Sequence, residues 1–272
     1  MLVRWKQMRR CALCCGVFVG AFSIGLSPAW AQVSLSCTGD GAGSLVGSTE
    51  DGVDYTAGLT FSTDDCTTVI IEHDVQVDAA DVKAIVVTGS DDLTLLEVAA
   101  GTTVKSDSGR AIHSVRFISR LTNAGTIDGS LHGVNVLSIG ELINAEGGSI
   151  VGGQSGVNAA AGSIDNLTNT GTIVGGQRGM VSWGDITRLT NSGAITGSEN
   201  GVIFYSGVPE PGDITTLINS GTITSSAEGA KGVEGSEDVF HSGVYSAGSI
   251  GMGVEGLNEG DLSRSTGLLV NI

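Results

Sequence analysis

Aromatic residues are scarce in this chain: Phe, Trp and Tyr together make up 4% of it. Rings of that size dominate most globular cores. The interior must therefore be filled by Val, Ile, Leu and Ala, which suits a narrow, layered core. Proline is almost missing, with 3 residues against 43 glycines. That balance excludes collagen and a proline-rich linker. Bases are few: 13 Lys and Arg stand against 29 Asp and Glu, a net charge of −16. Four of the bases (Arg4, Lys6, Arg9 and Arg10) fall in the first 31 residues, which hold no acid, so the remainder carries 9 bases against 29 acids, or −20. Such a surface repels phosphate backbones and argues against nucleic acid as a partner. It can recruit calcium or simply keep an elongated protein in solution; solubility is the preferred reading.

Signatures of chemistry are missing as well. The four histidines, His73, His113, His132 and His241, are scattered without metal-ligand spacing. His132 falls in the variable part of a repeat and reads as a surface residue. There is no G-x-S-x-G elbow, no phosphate-binding P-loop and no run of calcium-binding nonapeptides. The one C-x-x-C, Cys11 to Cys14, opens an apolar run that should be cleaved off. No cofactor, metal or small-molecule group is expected.

Residues 1–31 carry the three parts of a secretory signal. A basic MLVRWKQMRR precedes the apolar CALCCGVFVGAFSIGL, a run short for a membrane span. Ser27-Pro28 then breaks the helix, and Ala29-Trp30-Ala31 forms an A-x-A cleavage site before Gln32. Export implies an oxidising compartment. Cys37 and Cys66, the two cysteines left after cleavage, are expected to pair, with two free thiols as the alternative.

Five copies of one pattern, I-x-x-L-x-N-x-G-x-I-x-G-x-x-x-G-V, run from Ile118 to Ala230. Its second Ile falls at Ile127, Ile150, Ile173, Ile195 and Ile223, in steps of 23, 23, 22 and 28. Six residues later comes Gly133, Gly156, Gly179, Gly201 or Gly229. The long step contains Gly207-Val208-Pro209-Glu210-Pro211-Gly212, a surface loop. In most copies Leu, Asn, Gly and the second Ile alternate, so in extended chain they share one side. The glycines are expected at corners, supplying positive φ. One such unit cannot bury its own apolar side, but stacked units can. The predicted fold is all-β: a parallel β-helix of about 22–23 residues per coil. Asn123, Asn144, Asn169, Asn191 and Asn219 share one position and can hydrogen-bond as a column, or serve simply as turn residues.

Residues 32–80 differ in composition, hold both remaining cysteines and read as an N-terminal cap. Residues 81–230 supply the coils, the first of them irregular. Over 231–272 the pattern decays, and the apolar ending Leu268-Leu269-Val270-Asn271-Ile272 reads as a truncated stack.

The signal, Cys37-Thr38-Gly39-Asp40 near the mature start, and L-T-N-x-G-x-I recurring from Leu121, Leu167 and (with Ala for Thr) Leu189 together resemble the passenger region of bacterial autotransporters. The resemblance spans most of the chain after residue 31. It implies a right-handed β-helix displayed on a Gram-negative surface and a C-terminal membrane β-barrel as its carrier. The residues after Ala230 are too few for such a barrel, which must be encoded downstream or be missing. The location implied is the outer membrane, cell surface or medium, or the periplasm without a barrel. The leading expectation is a non-enzymatic, structural role with adhesion to host or neighbouring-cell molecules. The rivals are a carbohydrate-active β-helix enzyme using acids among Asp64, Asp65, Asp91, Asp92, Asp185 and Asp213, and a nonfunctional remnant of a split gene. These acids occur in only some coils and read better as solvated turn residues.

Overall fold

The computed structural model describes residues 33–35, 37–39, 45–49, 55–78, 82–205, 214–226, 231–234, 244–250 and 268–271. The cleavage site at Ala29, Ala31 and Gln32, the loop around Pro209 and the acid Asp213 lie outside these.

The described chain is a parallel β-solenoid. Each coil contributes three short strands, as in His132–Val136, Ser138–Asn144 and Ser149–Gly152. Each strand pairs in parallel with its equivalent one coil away. Val134 faces Val157, Leu142 faces Leu167, and Ile150 faces Ile173. First strands form one nine-stranded sheet; second and third strands form the other. The register explains the repeat, since identical apolar residues stack into columns. Leu121, Leu142, Leu167, Leu189 and Leu217 form one, Ile127, Ile150, Ile173, Ile195 and Ile223 another, all buried. Burying each such side chain stabilises by roughly 1.5–3 kcal/mol. A single coil has nothing to bury them against.

The stack begins before the composition boundary at residue 80. Leu59–Ser62, Thr68–Ile71 and Val75–Val77 already form three strands of a coil, paired to Ile85–Thr88, Leu93–Val98 and Thr103–Ser106. Their alternating apolar residues, Leu59, Phe61, Val69, Ile71, Val75 and Val77, enter the same core. They lack the Asn and Gly of the later repeat, which hid them as coils. Ahead of them, Thr38–Gly39 pairs antiparallel with Leu45–Ser48, the one antiparallel pairing among the described strands. Cys37 is bonded to Cys66 across a sequence separation of 29. Cys66 is fully buried, so the bond ties the chain ahead of the hairpin to the core. Closing a loop of this size stabilises by about 3–4 kcal/mol on a chain-entropy argument.

The repeat glycines play a different part from the one expected. Among the described residues, positive φ occurs at Gly58, Gly89, Gly101 and Gly147, none of which belongs to the column six residues after the Ile. At Gly156 a Cβ would lie 2.8 Å from the Gly179 carbonyl oxygen and 2.8 Å from Ile173 Cγ2. Gly133, Gly156 and Gly179 are glycine because the next coil passes too close for any side chain, not because the backbone is left-handed.

Candidate functional site

The Asn column lies inside the protein. Asn123 Nδ2 donates to Asn144 Oδ1 at 2.8 Å, Asn144 to Asn169 at 2.8 Å, Asn169 to Asn191 at 2.7 Å, and Asn191 to Asn219 at 2.7 Å. Each of the four donors also reaches backbone carbonyls at the corner, as Asn144 does with Gly148 and Thr172. All five side chains are buried. The ladder ends where its column changes residue: Asn123 is in register with Val98, and Asn219 with Ala247. Accordingly, Asn123 Oδ1 and Asn219 Nδ2 have no hydrogen-bond partner. This buried column joins each coil to the next.

Of the described candidate acids, four gather at one exposed corner and Asp185 stands apart. Asp64 is fully exposed, and its Oδ1 accepts from Ser90 Oγ at 2.6 Å and Ser90 N at 2.9 Å. These bonds, the Ser90 hydroxyl foremost, hold its carboxyl below the usual aspartate range. That carboxylate ties the turn at Asp64 to the turn at Ser90. Asp65, Asp91 and Asp92 sit exposed at the same corner, whereas Asp185 is several coils away. No group of three His, Cys, Asp or Glu able to hold a metal occurs among the described residues.

His132, read as a surface residue, is buried at 9% exposure. Its register neighbour is Arg110, and its Nδ1 has no partner. Burial first, and the Arg110 guanidinium second, push its pKa down to about 4. It is a neutral imidazole in a tight corner where the third strand of one coil turns into the first strand of the next.

The exposed large apolar side chains lie just past the strands of the nine-stranded sheet, whose own residues are mostly buried. Between Leu59 and Phe204 its strands contain no Asp or Glu, on a chain of net charge −16. Val134 and Val136 point into the core, so Asn135 and Leu137 point outward. Two outward columns matter. In the first, Asn158 Nδ2 donates to Asn135 Oδ1 at 2.8 Å, and Asn135 Nδ2 meets His113 Nδ1 at 3.2 Å. It then changes to Val181 and Ile203. The second column, one residue past the strands, reads Val115, Leu137, Ala160, Trp183, Tyr205. Backbone bonds from Ala160 N to Val136 O, Trp183 N to Ala159 O and Tyr205 N to Ser182 O keep it in register. Val115 (54%), Leu137 (40%) and Trp183 (46%) are the exposed large apolar residues of the described chain, and all three belong to this column. The Trp183 and Tyr205 rings lie 4.7 Å apart between centroids, tilted by 33°. Arg178 bonds Glu199 at 3.0 Å and sets its guanidinium 5.9 Å from the Tyr205 centroid. To meet, the Arg178 and Tyr205 side chains must lie along the sheet over Val181 and Ile203, which are shielded there.

The sequence points to the exposed variable positions of the repeat and the loop around Pro209 as the contact surface; the loop lies outside the described residues, and the variable positions as a class do not single out this column. Its signal is present: each member follows the final apolar residue of the repeat (Ile112, Val134, Val157, Met180, Val202) by three. Its chemistry varies along the column, so no shared letter marked it. Comparisons with models of known families, with curated proteins and with solved structures found no match to this chain.

Proposed function

We propose that this chain is an exported β-helix of the autotransporter-passenger kind whose role is adhesive contact at a cell surface. The exposed column Val115, Leu137 and Trp183, at the end of strands that hold no Asp or Glu between Leu59 and Phe204, carries this reading. A soluble acidic protein has no folding reason to gather its exposed apolar side chains in one line, and such patches mark interaction surfaces. The solenoid gives that line a rigid backing several coils long. The signal-like N-terminus and the L-T-N-x-G-x-I repeats support the surface location and a β-barrel as carrier. The partner is a molecule on a host or neighbouring cell.

Expression in a Gram-negative cell with its native downstream DNA tests both halves. The expected result is surface labelling by antibody on intact cells, together with attachment that the deletion strain loses. Retention in the cytoplasm, or unchanged attachment after deletion, overturns the reading.

A further inference from the structure

Column Val115–Tyr205 has a gap in the middle. Ala160 is exposed and carries only a methyl group, between Leu137 on one coil and Trp183 on the next. The indole, 46% exposed, stands beside that notch. Two residues back along the same strand, on the same side, is Asn158. It donates to Asn135, but its other register neighbour is Val181, which has no polar group. The Asn158 amide oxygen thus faces no partner in the column. A small apolar residue, an exposed indole and a half-buried amide share one side of two adjacent coils.

We infer that Ala160, Trp183 and Asn158 form a subsite for one hexose ring of a neutral glycan, which deepens the adhesive reading above and rests on it. The axial C–H face of a pyranose packs on the indole, because ring quadrupoles favour partly positive C–H groups. Its hydroxyls use both halves of the Asn158 amide, which accepts through oxygen and donates through nitrogen. Tyr205, stacked on Trp183 and braced by Arg178, fixes the indole. Charge selects a neutral chain. Ala160, Trp183 and Asn158 carry no charge, and Arg178, on the strand that leads to Trp183, already holds the Glu199 carboxylate. The coil spacing of about 4.8 Å is close to the length of one sugar unit, so an extended glycan can follow the column along the solenoid axis.

The chain has three tryptophans: Trp5, Trp30 and Trp183. In a full-length W5F/W30F background, fluorescence reports Trp183 alone. Oligomers of β-1,4-glucose, α-mannose and β-galactose, each titrated in turn, are the probes. The expected result is a saturable emission shift with at least one series and protection from acrylamide. Asn158→Ala and Ala160→Leu, which fills the notch without disturbing the core, should each weaken binding by about tenfold or more. Trp183→Ala, followed by retention on the immobilised oligomer, should weaken it likewise. No shift with any series, while cells still attach through the protein, overturns the glycan subsite and leaves adhesion standing. Failure of attachment itself overturns the underlying reading instead. Binding of sulfated or uronate chains that survives Trp183→Ala and is lost in Arg110→Gln also overturns the subsite.

Discussion

Asn123 and Asn144 are 21 residues apart in sequence, yet the amide of one donates to the amide of the other at 2.8 Å, buried from solvent. An amide is well suited to such a column because it carries a donor and an acceptor on one flat group. Each residue passes the same polarity to the next coil. A buried polar group without a partner costs about 1–3 kcal/mol, so each Asn is held in place by its neighbours. That mutual dependence governs the first two predictions.

Asn169→Ala removes the acceptor for Asn144 and the donor for Asn191. The expected loss is about 2–4 kcal/mol of unfolding free energy. Asn123→Ala, at the ladder's end, removes one Asn–Asn bond where Asn169→Ala removes two, and should lose less. Urea denaturation of the two variants checks the order; equal losses would show that the bonds do not couple the coils.

Val98 occupies the place where a sixth Asn would sit, facing the unpartnered Asn123 Oδ1. Val98→Asn supplies a donor there. Burying an amide in a core is ordinarily costly, and Val104→Asn, one strand later, is the control. Val98→Asn should be less destabilising by roughly 1 kcal/mol or more. Thermal melting of the pair decides it, and equal melting temperatures count against the ladder's open end.

Gly156→Ala places a methyl 2.8 Å from the Gly179 carbonyl oxygen. A destabilisation of about 1–3 kcal/mol is expected from overpacking, although the residue's φ is an ordinary one. Replacement of Gly147 by Asn, at φ 80 with open space around it, should be nearly neutral because Asn tolerates that region. A neutral Gly156→Ala in chemical denaturation would remove the close-approach explanation of the glycine column.

His132 is held neutral in the fold, with its pKa lowered to about 4 from 6.5. The unfolded chain therefore binds the extra proton first. Stability is fully present above about pH 6.5, falls as pH drops through the window from 6.5 to 4, and flattens below it. The total is on the order of 3 kcal/mol. His132→Gln should flatten that part of the profile, measured by denaturant melts between pH 4 and 7.5. A slope unchanged by the substitution assigns the pH response to other groups.

Reduction of the Cys37–Cys66 bond frees the segment before the hairpin. Cys37→Ser should lower unfolding free energy by about 3 kcal/mol, and reductant should do the same to the parent protein but not to the variant. A reductant effect of equal size in both would show that the bond is not its source.

The sequence by itself determined the coil. Columns of Ile, Leu and Asn repeat at the spacing at which one turn of solenoid returns to the same wall, and periodicity is a one-dimensional property that survives without coordinates. It also carried the pairing of Cys37 with Cys66, since only two cysteines follow the expected cleavage site. Three things were decided only by tertiary structure. The coil at Leu59–Val77 became visible through pairing, because its residues fit the core without repeating the motif. The role of Gly156 depended on where the neighbouring coil runs, since a close contact between coils has no local signature. The outward column from Val115 to Tyr205 is chemically varied, and unlike residues declare a common surface only when stacking brings them side by side. Repetition writes the buried walls, because every coil must solve the same packing problem. The outer face is free of that constraint, and the candidate site lies there.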